Sequence, residues 1–328
     1  MSAEAAERVR RIAVETATRS AWAQWAALGA SVVADVELSP RSVVDPEALV
    51  LVSLATAEAE RRMEDVLGAW ADEGADLISV QRLESLADRF PERVRQRVGD
   101  WARYAREAGD RRWHRLVREP SPAWPTPRGK PFGVLDLRAP AALMLRMRAG
   151  LGVGSKGDAL TFLLASGGRE RTVKRVVQAT GYTDRAVRTA LGEMARAGFV
   201  TRSTGHPTTY RADTRPWTAL LGYRTGPASR GTGGSSQDER EGAREPDLPE
   251  WRQWASIYGF LAGVAEWSQR AGAEGWSSYV LGSRARTLVE THQERLRTAG
   301  FEAELHGTDP EDVVDMMDRL KEWTWEGL

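Results

Sequence analysis

The segment that decides the fold runs from Thr172 to Tyr210, TVKRVVQATGYTDRAVRTALGEMARAGFVTRSTGHPTTY. Its first part has the apolar spacing of a short helix, and Gly181 can adopt the left-handed conformation that a sharp turn between helices requires. Thr183 is a typical helix N-cap, because its hydroxyl can accept a hydrogen bond from a free backbone N–H. After Gly198, two β-like runs are joined by a Gly-His-Pro tip. The segment therefore predicts a helix, a tight turn, a second helix and a β-hairpin.

The second of these helices has two faces of opposite character. Its apolar residues recur at i, i+3, i+4 and i+7, which is the spacing of a buried stripe: Val187, Ala190, Leu191 and Met194. The remaining face carries Arg185, Arg188, Thr189 and Gly192. Arginine can donate two hydrogen bonds to guanine, and threonine offers a hydroxyl and a methyl group. We expect this face to contact bases and phosphates.

The hairpin supplies a second set of polar side chains. We expect Arg202, Thr204, His206 and Thr208 to line it, while Tyr210 returns toward the core. A hairpin in this position commonly contacts phosphate or the minor groove, which suits Arg202; His206 has an equally good interpretation as an ordinary turn residue. Upstream, the segment Ser155–Ala165 has the leucine spacing of a further helix.

The segment from Ser155 to Ala212 resembles the winged helix-turn-helix of bacterial regulators of the multiple-antibiotic-resistance and arsenic-repressor kinds. The motifs are Ala-Thr-Gly-Tyr-Thr (179–183) at the turn, Ala-Gly-Phe-Val (197–200) before the wing and Thr-Tyr (209–210) closing it. The resemblance implies duplex DNA contacts from Arg185, Arg188, Thr189 and Arg202, with Lys174 and Arg175 near phosphate. The whole predicted DNA-binding set is Lys174, Arg175, Thr183, Arg185, Arg188, Thr189, Arg202, Thr204, His206 and Thr208.

This chain departs from those regulators in size, since more than 200 of its 328 residues lie outside the winged-helix segment. The arrangement also loosely resembles winged-helix antitoxins of abortive-infection systems, but no motif beyond the winged helix matches.

Charge is unevenly distributed, although the formal net charge is zero. Residues 140–217 hold 13 basic and 5 acidic residues, a net charge of +8. Residues 31–79 carry a net charge of −8 and residues 237–328 a net charge of −9. Charge runs are usually solvated helix surface, but the largest positive excess coincides with the winged-helix segment, where phosphate binding requires it.

Other classes of site find little support. Cysteine is absent, which excludes disulfides and thiolate metal sites, and the four histidines have no HExxH spacing. The run Gly-Leu-Gly-Val-Gly-Ser-Lys-Gly-Asp (150–158) lacks the Gly-Lys-Ser/Thr ending of a phosphate-binding loop, so a structural role is favoured. Carboxylate pairs such as Glu64-Asp65 have no partnered nucleophile or base. We therefore expect no enzyme activity, no cofactor and no metal.

The sequence also bears on location. The first 25 residues lack the apolar core of a signal peptide. No apolar run reaches about 18 residues, so we expect no transmembrane helix and no membrane partner. A soluble, cytoplasmic protein is predicted.

The predicted architecture is a mainly α, multi-domain helical protein with a central winged helix-turn-helix carrying a small β-hairpin wing. Its predicted parts are a helical N-terminal domain (1–118), a proline-rich linker (119–140), the winged-helix domain (141–224), a disordered linker (225–247) and a helical, acidic C-terminal domain (248–328). Trp124, Phe132 and Leu135 could pin the first linker onto a domain.

Three functions remain open at this point. The first is a DNA-binding transcriptional regulator, acting as a homodimer because two half-sites then share one binding event. The second is an antitoxin-like or scaffold protein whose winged helix and acidic N- or C-terminal helices bind a partner protein. In the third, the acidic C-terminal domain covers and inhibits the winged helix, so that deletion of residues 226–328 tightens DNA binding.

Overall fold

The computed structural model describes residues 2–31, 40–117, 123–128, 131–223, 248–305 and 309–328. The protein is mainly helical with a small three-stranded antiparallel sheet. It consists of two compact units. Unit 1 comprises residues 1–153 and 252–328, and unit 2 comprises residues 154–251, inserted into the chain of unit 1.

The helices follow one another along the chain with short 3-10 turns between some of them. In chain order they are α1 (Ser2–Ala27), α2 (Pro46–Thr56), α3 (Arg62–Glu73), α4 (Val80–Ala87), α5 (Glu92–Glu107), α6 (Leu143–Leu151), α7 (Ser155–Leu164), α8 (Val173–Thr180), α9 (Asp184–Arg196), α10 (Thr214–Leu221), α11 (Trp254–Glu274), α12 (Ser278–Ala299) and α13 (Pro310–Glu326). The 3-10 turns are Ala75–Leu77, Arg111–Arg115 and Pro140–Ala142.

Helix α11 lies at the centre of unit 1. Its predicted apolar face is buried, but Ala255, Tyr258 and Phe260 on other sides are buried as well. A helix that is apolar nearly all round must be covered on all sides, which a small separate domain could not achieve. The amide of Gln24 on α1 donates to the hydroxyl of Tyr258 at 2.6 Å. Residues 252–328 therefore belong to unit 1, and the prediction of a C-terminal domain of its own is corrected.

The predicted first linker is also part of unit 1 where the structure describes it. The indole of Trp124 donates to the carbonyl of Glu64 at 3.3 Å. Phe132 meets Trp25 edge to face, with ring centroids 5.6 Å apart, and Leu135 packs against the same core. These aromatic residues anchor the segment as predicted. The described part of the segment packs on unit 1, however, and does not act as a linker between two domains. Residues 118–122 and 129–130 lie outside the described residues.

A buried charge network fixes α6 to unit 1, so unit 2 begins at Gly154 and not at the predicted residue 141. We use this name for Asp45, Glu47, Arg82 and Arg148, all of which are buried. Glu47 accepts from Arg82, from Arg148 at 2.6 Å and from the backbone N–H of Ser79 at 2.7 Å. Arg82 also donates to both carboxylate oxygens of Asp45 at 2.6 Å. Because each buried charge needs a partner, Arg148 holds α6 against α2 through Glu47, and it also donates to the carbonyl of Leu77 in the 3-10 turn Ala75–Leu77.

Unit 2 contains the predicted order of a helix, a tight turn, a helix and a hairpin. Thr172 and Thr183 cap α8 and α9 through their hydroxyls, and Gly181 between the helices has φ +75°. The sheet has the order β1 (Arg171–Thr172), β3 (Thr209–Arg211), β2 (Thr201–Arg202). The predicted apolar stripe of α9 is buried. It packs with α7, whose Leu160, Leu163 and Leu164 have no exposure.

Two further expectations concern the second linker and membrane-spanning helices. The predicted disordered linker, residues 225–247, lies outside the described residues. In the part of the chain that the structure describes, none of the helices combines the length and the apolar character needed to cross a membrane.

Candidate nucleic-acid interface

The outer face of α9 carries the central predicted residues. Arg185, Arg188 and Thr189 are exposed, together with the N-cap residue Thr183. The Arg188 side chain keeps 64% of its surface accessible. These side chains point outward because the valine, leucine and methionine of the opposite face fill the core of unit 2. The predicted division of this helix into a buried and an exposed face is confirmed.

Two acidic side chains partly neutralise this face. Arg188 forms an ion pair with Asp184 one turn earlier on α9. The hydrogen bond and the charge of Asp184 raise the pKa of Arg188. Lys156 at the start of α7 pairs with Glu193 on α9 at 2.6 Å, and this contact lowers the pKa of Glu193. In contrast, Arg185 forms no ion pair with any described residue.

A shallow depression of about 420 Å³ lies where the start of α7 meets the first half of α9. It is lined by Ser155, Lys156, Thr183, Arg185, Ala186, Thr189, Ala190 and Glu193. Its rim therefore brings together three of the predicted residues, Thr183, Arg185 and Thr189. Lys156 is a further cation here that was not among them. The lining of the depression thus combines two cations, Lys156 and Arg185, with the hydroxyl groups of Ser155, Thr183 and Thr189.

The hairpin extends from the sheet beyond β2 and β3. Arg202, Thr204 and His206 are exposed, whereas Thr208 is half-buried. The base of the hairpin is closed by Ser203, whose N–H donates to the carbonyl of Thr209 at 2.9 Å and whose hydroxyl accepts from the N–H of Thr209 at 2.9 Å. The hairpin is thus fixed at its base and presents polar side chains at its tip.

Register places Arg202 beside the core and not at the tip. In the sheet, Tyr210 on β3 lies opposite Arg202 on one side and Arg171 on the other. Residues directly opposite each other in antiparallel strands share a face, so both arginines lie on the same face of the sheet as Tyr210. Tyr210 also contributes slightly to the raised pKa of Arg188. The hairpin therefore carries Arg202 at its base, in β2, and Thr204 and His206 beyond it.

Sequence reasoning missed a group of arginines at the start of α8. Burial and the nearby charges of Arg169 and Arg175 lower the pKa of Arg171. The buried Nε of Arg171 has no hydrogen-bond partner among the described residues. The predicted residues Lys174 and Arg175 are both exposed next to it. The signal was present in the sequence as Arg-Glu-Arg-Thr-Val-Lys-Arg (169–175), but the strand β1 was not predicted.

The ten predicted residues fall in three places of unit 2. Thr183, Arg185, Arg188 and Thr189 share the outer face of α9, and Lys174 and Arg175 lie at the start of α8. Arg202, Thr204, His206 and Thr208 lie on the hairpin. Chemically, this surface can bind a polyanion through several separated cations and can donate hydrogen bonds from arginine and threonine side chains.

Comparison with known proteins finds no family model, no curated sequence and no solved structure that matches this chain.

Proposed function

We propose that residues 154–223 form a winged helix-turn-helix that binds duplex DNA, and that the chain is a DNA-binding transcriptional regulator. In this proposal α9 is the recognition helix and the hairpin between β2 and β3 is the wing. The observation that carries it is the outer face of α9, where Arg185, Arg188 and Thr189 are exposed. Lys174 and Arg175 on α8 are exposed in the same unit.

The dimensions and chemistry of α9 suit the major groove. A helix with its side chains is about 10–12 Å wide, and the groove is about 12 Å wide. Close approach is possible at Gly192, where an added Cβ would meet no atom within 4 Å. Arg185 and Arg188 would donate to guanine or phosphate from this position, and Thr189 would contact a base through its hydroxyl or methyl.

The group at the start of α8 suits phosphate. Burial and the charges of Arg169 and Arg175 lower the pKa of Arg171, and Lys174 is exposed nearby in the chain. A phosphate oxygen bound by these cations would relieve the repulsion on Arg171. We expect these residues to position the domain on the backbone without distinguishing sequences. Arg202 on the wing would act in the same way.

We further propose that the regulator binds as a homodimer, because one short recognition helix contacts few base pairs and two half-sites multiply its affinity. The decisive experiment is selection of bound fragments from genomic DNA with the purified full-length chain, at two salt concentrations. A palindromic motif with half-sites about one helical turn apart is expected. Fragments without a common sequence, whose binding vanishes at the higher salt, would contradict sequence-specific regulation.

Asp184→Asn should tighten DNA binding about two- to fivefold, which corresponds to the energy of an exposed ion pair. Asp184 holds Arg188 in an ion pair and repels phosphate, and the exchange removes both effects while keeping the side-chain shape. Fluorescence anisotropy with the selected duplex measures the change. The matched control is Asp213→Asn, which changes an exposed aspartate at the start of another helix of unit 2, α10. Weaker binding by Asp184→Asn alone would show that Asp184 itself contacts a base.

The alternative is an antitoxin-like or scaffold protein whose winged helix binds a partner protein. Its support is the pairing of cations with Asp184 and Glu193 on the same face, since a mixed-charge surface is common in protein interfaces. This alternative would be favoured if a second protein co-purified in stoichiometric amount and if the chain selected no DNA fragments. Deletion of residues 226–328 cannot test inhibition by a C-terminal domain, because it removes α11 from the core of unit 1.

A further inference from the structure

The two carboxylates of α9 differ in how their oxygens are paired. Asp184 accepts hydrogen bonds on both of its oxygens from the guanidinium of Arg188, one turn later on the same helix. Glu193 pairs through Oε2 with the ammonium of Lys156 on α7, at 2.6 Å. Within the part of the chain that the structure describes, no hydrogen bond is directed at the Oε1 of Glu193. Asp184 is therefore fully paired inside the protein, whereas Glu193 keeps an acceptor for another molecule.

Glu193 faces the depression between the start of α7 and α9. Arg185 and Thr189 line the same depression, and the three residues are spaced by four, so they follow one another on successive turns of α9. The side chain of Glu193 keeps 39% of its surface accessible. The preceding residue, Gly192, has open space where a Cβ would be. A molecule that contacts Arg185 and Thr189 along α9 can therefore reach the carboxylate of Glu193 as well.

The charge of Glu193 restricts what it can bind in a DNA groove. The hydrogen bond and the charge of Lys156 lower the pKa of Glu193, so the carboxylate is ionised near pH 7 and can only accept hydrogen bonds. An ionised carboxylate repels phosphate, and it therefore weakens DNA binding unless it meets a donor. In the major groove, the amino groups of cytosine and adenine are the base donors. Adenine presents its N7 acceptor beside the amino group, whereas cytosine presents the amino group alone.

We propose that Glu193 is a specificity-determining residue that accepts a hydrogen bond from N4 of one cytosine in each half-site, and that Lys156 is its positioning residue. The assignment requires α9 to enter the major groove, so it rests on the proposed function. Exchange of the C·G pair for T·A places a carbonyl acceptor where the amino group was, and the carboxylate is then repelled. Lys156 holds the carboxylate from the side of α7, which leaves Oε1 for the base.

The test is selection of genomic fragments with the full-length parent and with Glu193→Gln, followed by anisotropy titrations on the motif of the parent. We expect the parent to require cytosine at one position of each half-site and to lose affinity about tenfold when that C·G pair becomes T·A. Glu193→Gln should lose less than about threefold on the same exchange, because an amide both accepts and donates hydrogen bonds. The other positions of the motif should stay unchanged.

The role of Lys156 is measured by the ratio of the two affinities, because a general loss of positive charge weakens both duplexes alike. Lys156→Met should reduce the preference for C·G over T·A to about threefold, and Lys156→Arg should restore it, since arginine can keep the ion pair. The matched control is Asp184→Asn, which neutralises the other carboxylate of α9 and should keep the full preference. An unchanged preference in Lys156→Met would overturn its positioning role.

Failure of this inference is distinguishable from failure of the proposed function. If the parent selects no common sequence, sequence-specific regulation is refuted, and the role of Glu193 with it. If the parent selects a motif and Glu193→Gln selects the same motif with the same penalty, α9 binds DNA without reading cytosine through Glu193. Equal tightening of Glu193→Gln on selected and unrelated duplex, with the cytosine preference intact, would show that Glu193 only offsets the positive charge of α9.

Discussion

Exchange of Glu47 for glutamine will lower the free energy of unfolding by about 3–5 kcal/mol. Glu47 is fully buried and accepts from both Arg82 and Arg148. The neutral amide keeps the shape of the side chain but leaves Asp45 as the single carboxylate for these two arginines. Urea unfolding followed by tryptophan fluorescence measures the change, since several tryptophans are buried in unit 1.

The matched control is Glu58→Gln, which breaks an exposed pair with Arg93 and should change stability by less than about 1 kcal/mol. A second comparison isolates the charge. Replacing both partners of a buried ion pair by apolar side chains costs less stability than removing one partner. The double variant Glu47→Met/Arg148→Met should therefore be more stable than the single variant Glu47→Met. A loss below about 1 kcal/mol in Glu47→Gln would mean that the network contributes little to the fold.

Loss of both Arg185 and Arg188 will abolish sequence-specific DNA binding if α9 is the recognition helix. Each single alanine exchange should weaken binding to the selected duplex about ten- to hundredfold, because a bidentate arginine contact with guanine discriminates by roughly 1–3 kcal/mol. Binding to unrelated duplex should fall much less. Anisotropy titrations with both duplexes measure the difference.

The variant Arg10→Ala on α1 is the control, since it removes the same charge from an exposed position of unit 1. Circular dichroism must show that the double variant keeps its helices, which the exposure of both side chains leads us to expect. An intact Arg188→Ala protein that binds duplex as well as the parent would remove α9 from the interface.

Local structure in unit 2 could be predicted because its determinants are local. Thr172 and Thr183 cap helices that begin at the next residue, and Gly181 has the predicted left-handed conformation. The burial of Val187 and Leu191 follows from their spacing alone. The exposure of Arg185 and Arg188 follows in turn, since a helix with one buried stripe turns its other side to solvent. Whether they bind DNA stays a prediction.

Contacts between residues that are far apart in the chain could not be predicted from the sequence. The spacing of α11 showed an apolar face, but not that Tyr258 would find Gln24, a partner 234 residues away in the chain. Arg148 looked like part of a basic segment, because nothing near it in sequence shows that Glu47 would bind it across 101 residues. Arg171 was missed because strand β1 has only two residues and no periodicity of its own.

The insertion of unit 2 within unit 1 has a consequence for biosynthesis. Helix α1 is synthesised before unit 2, yet its neighbour α11 begins only at Trp254, after unit 2. Until α11 has been synthesised, the apolar side of α1 lacks this partner and is open to aggregation, while the described residues of unit 2 can already fold into a compact body. Maturation should therefore proceed from the middle of the chain outward, and a stalled translation product ending before α11 should be a substrate for chaperones and proteases.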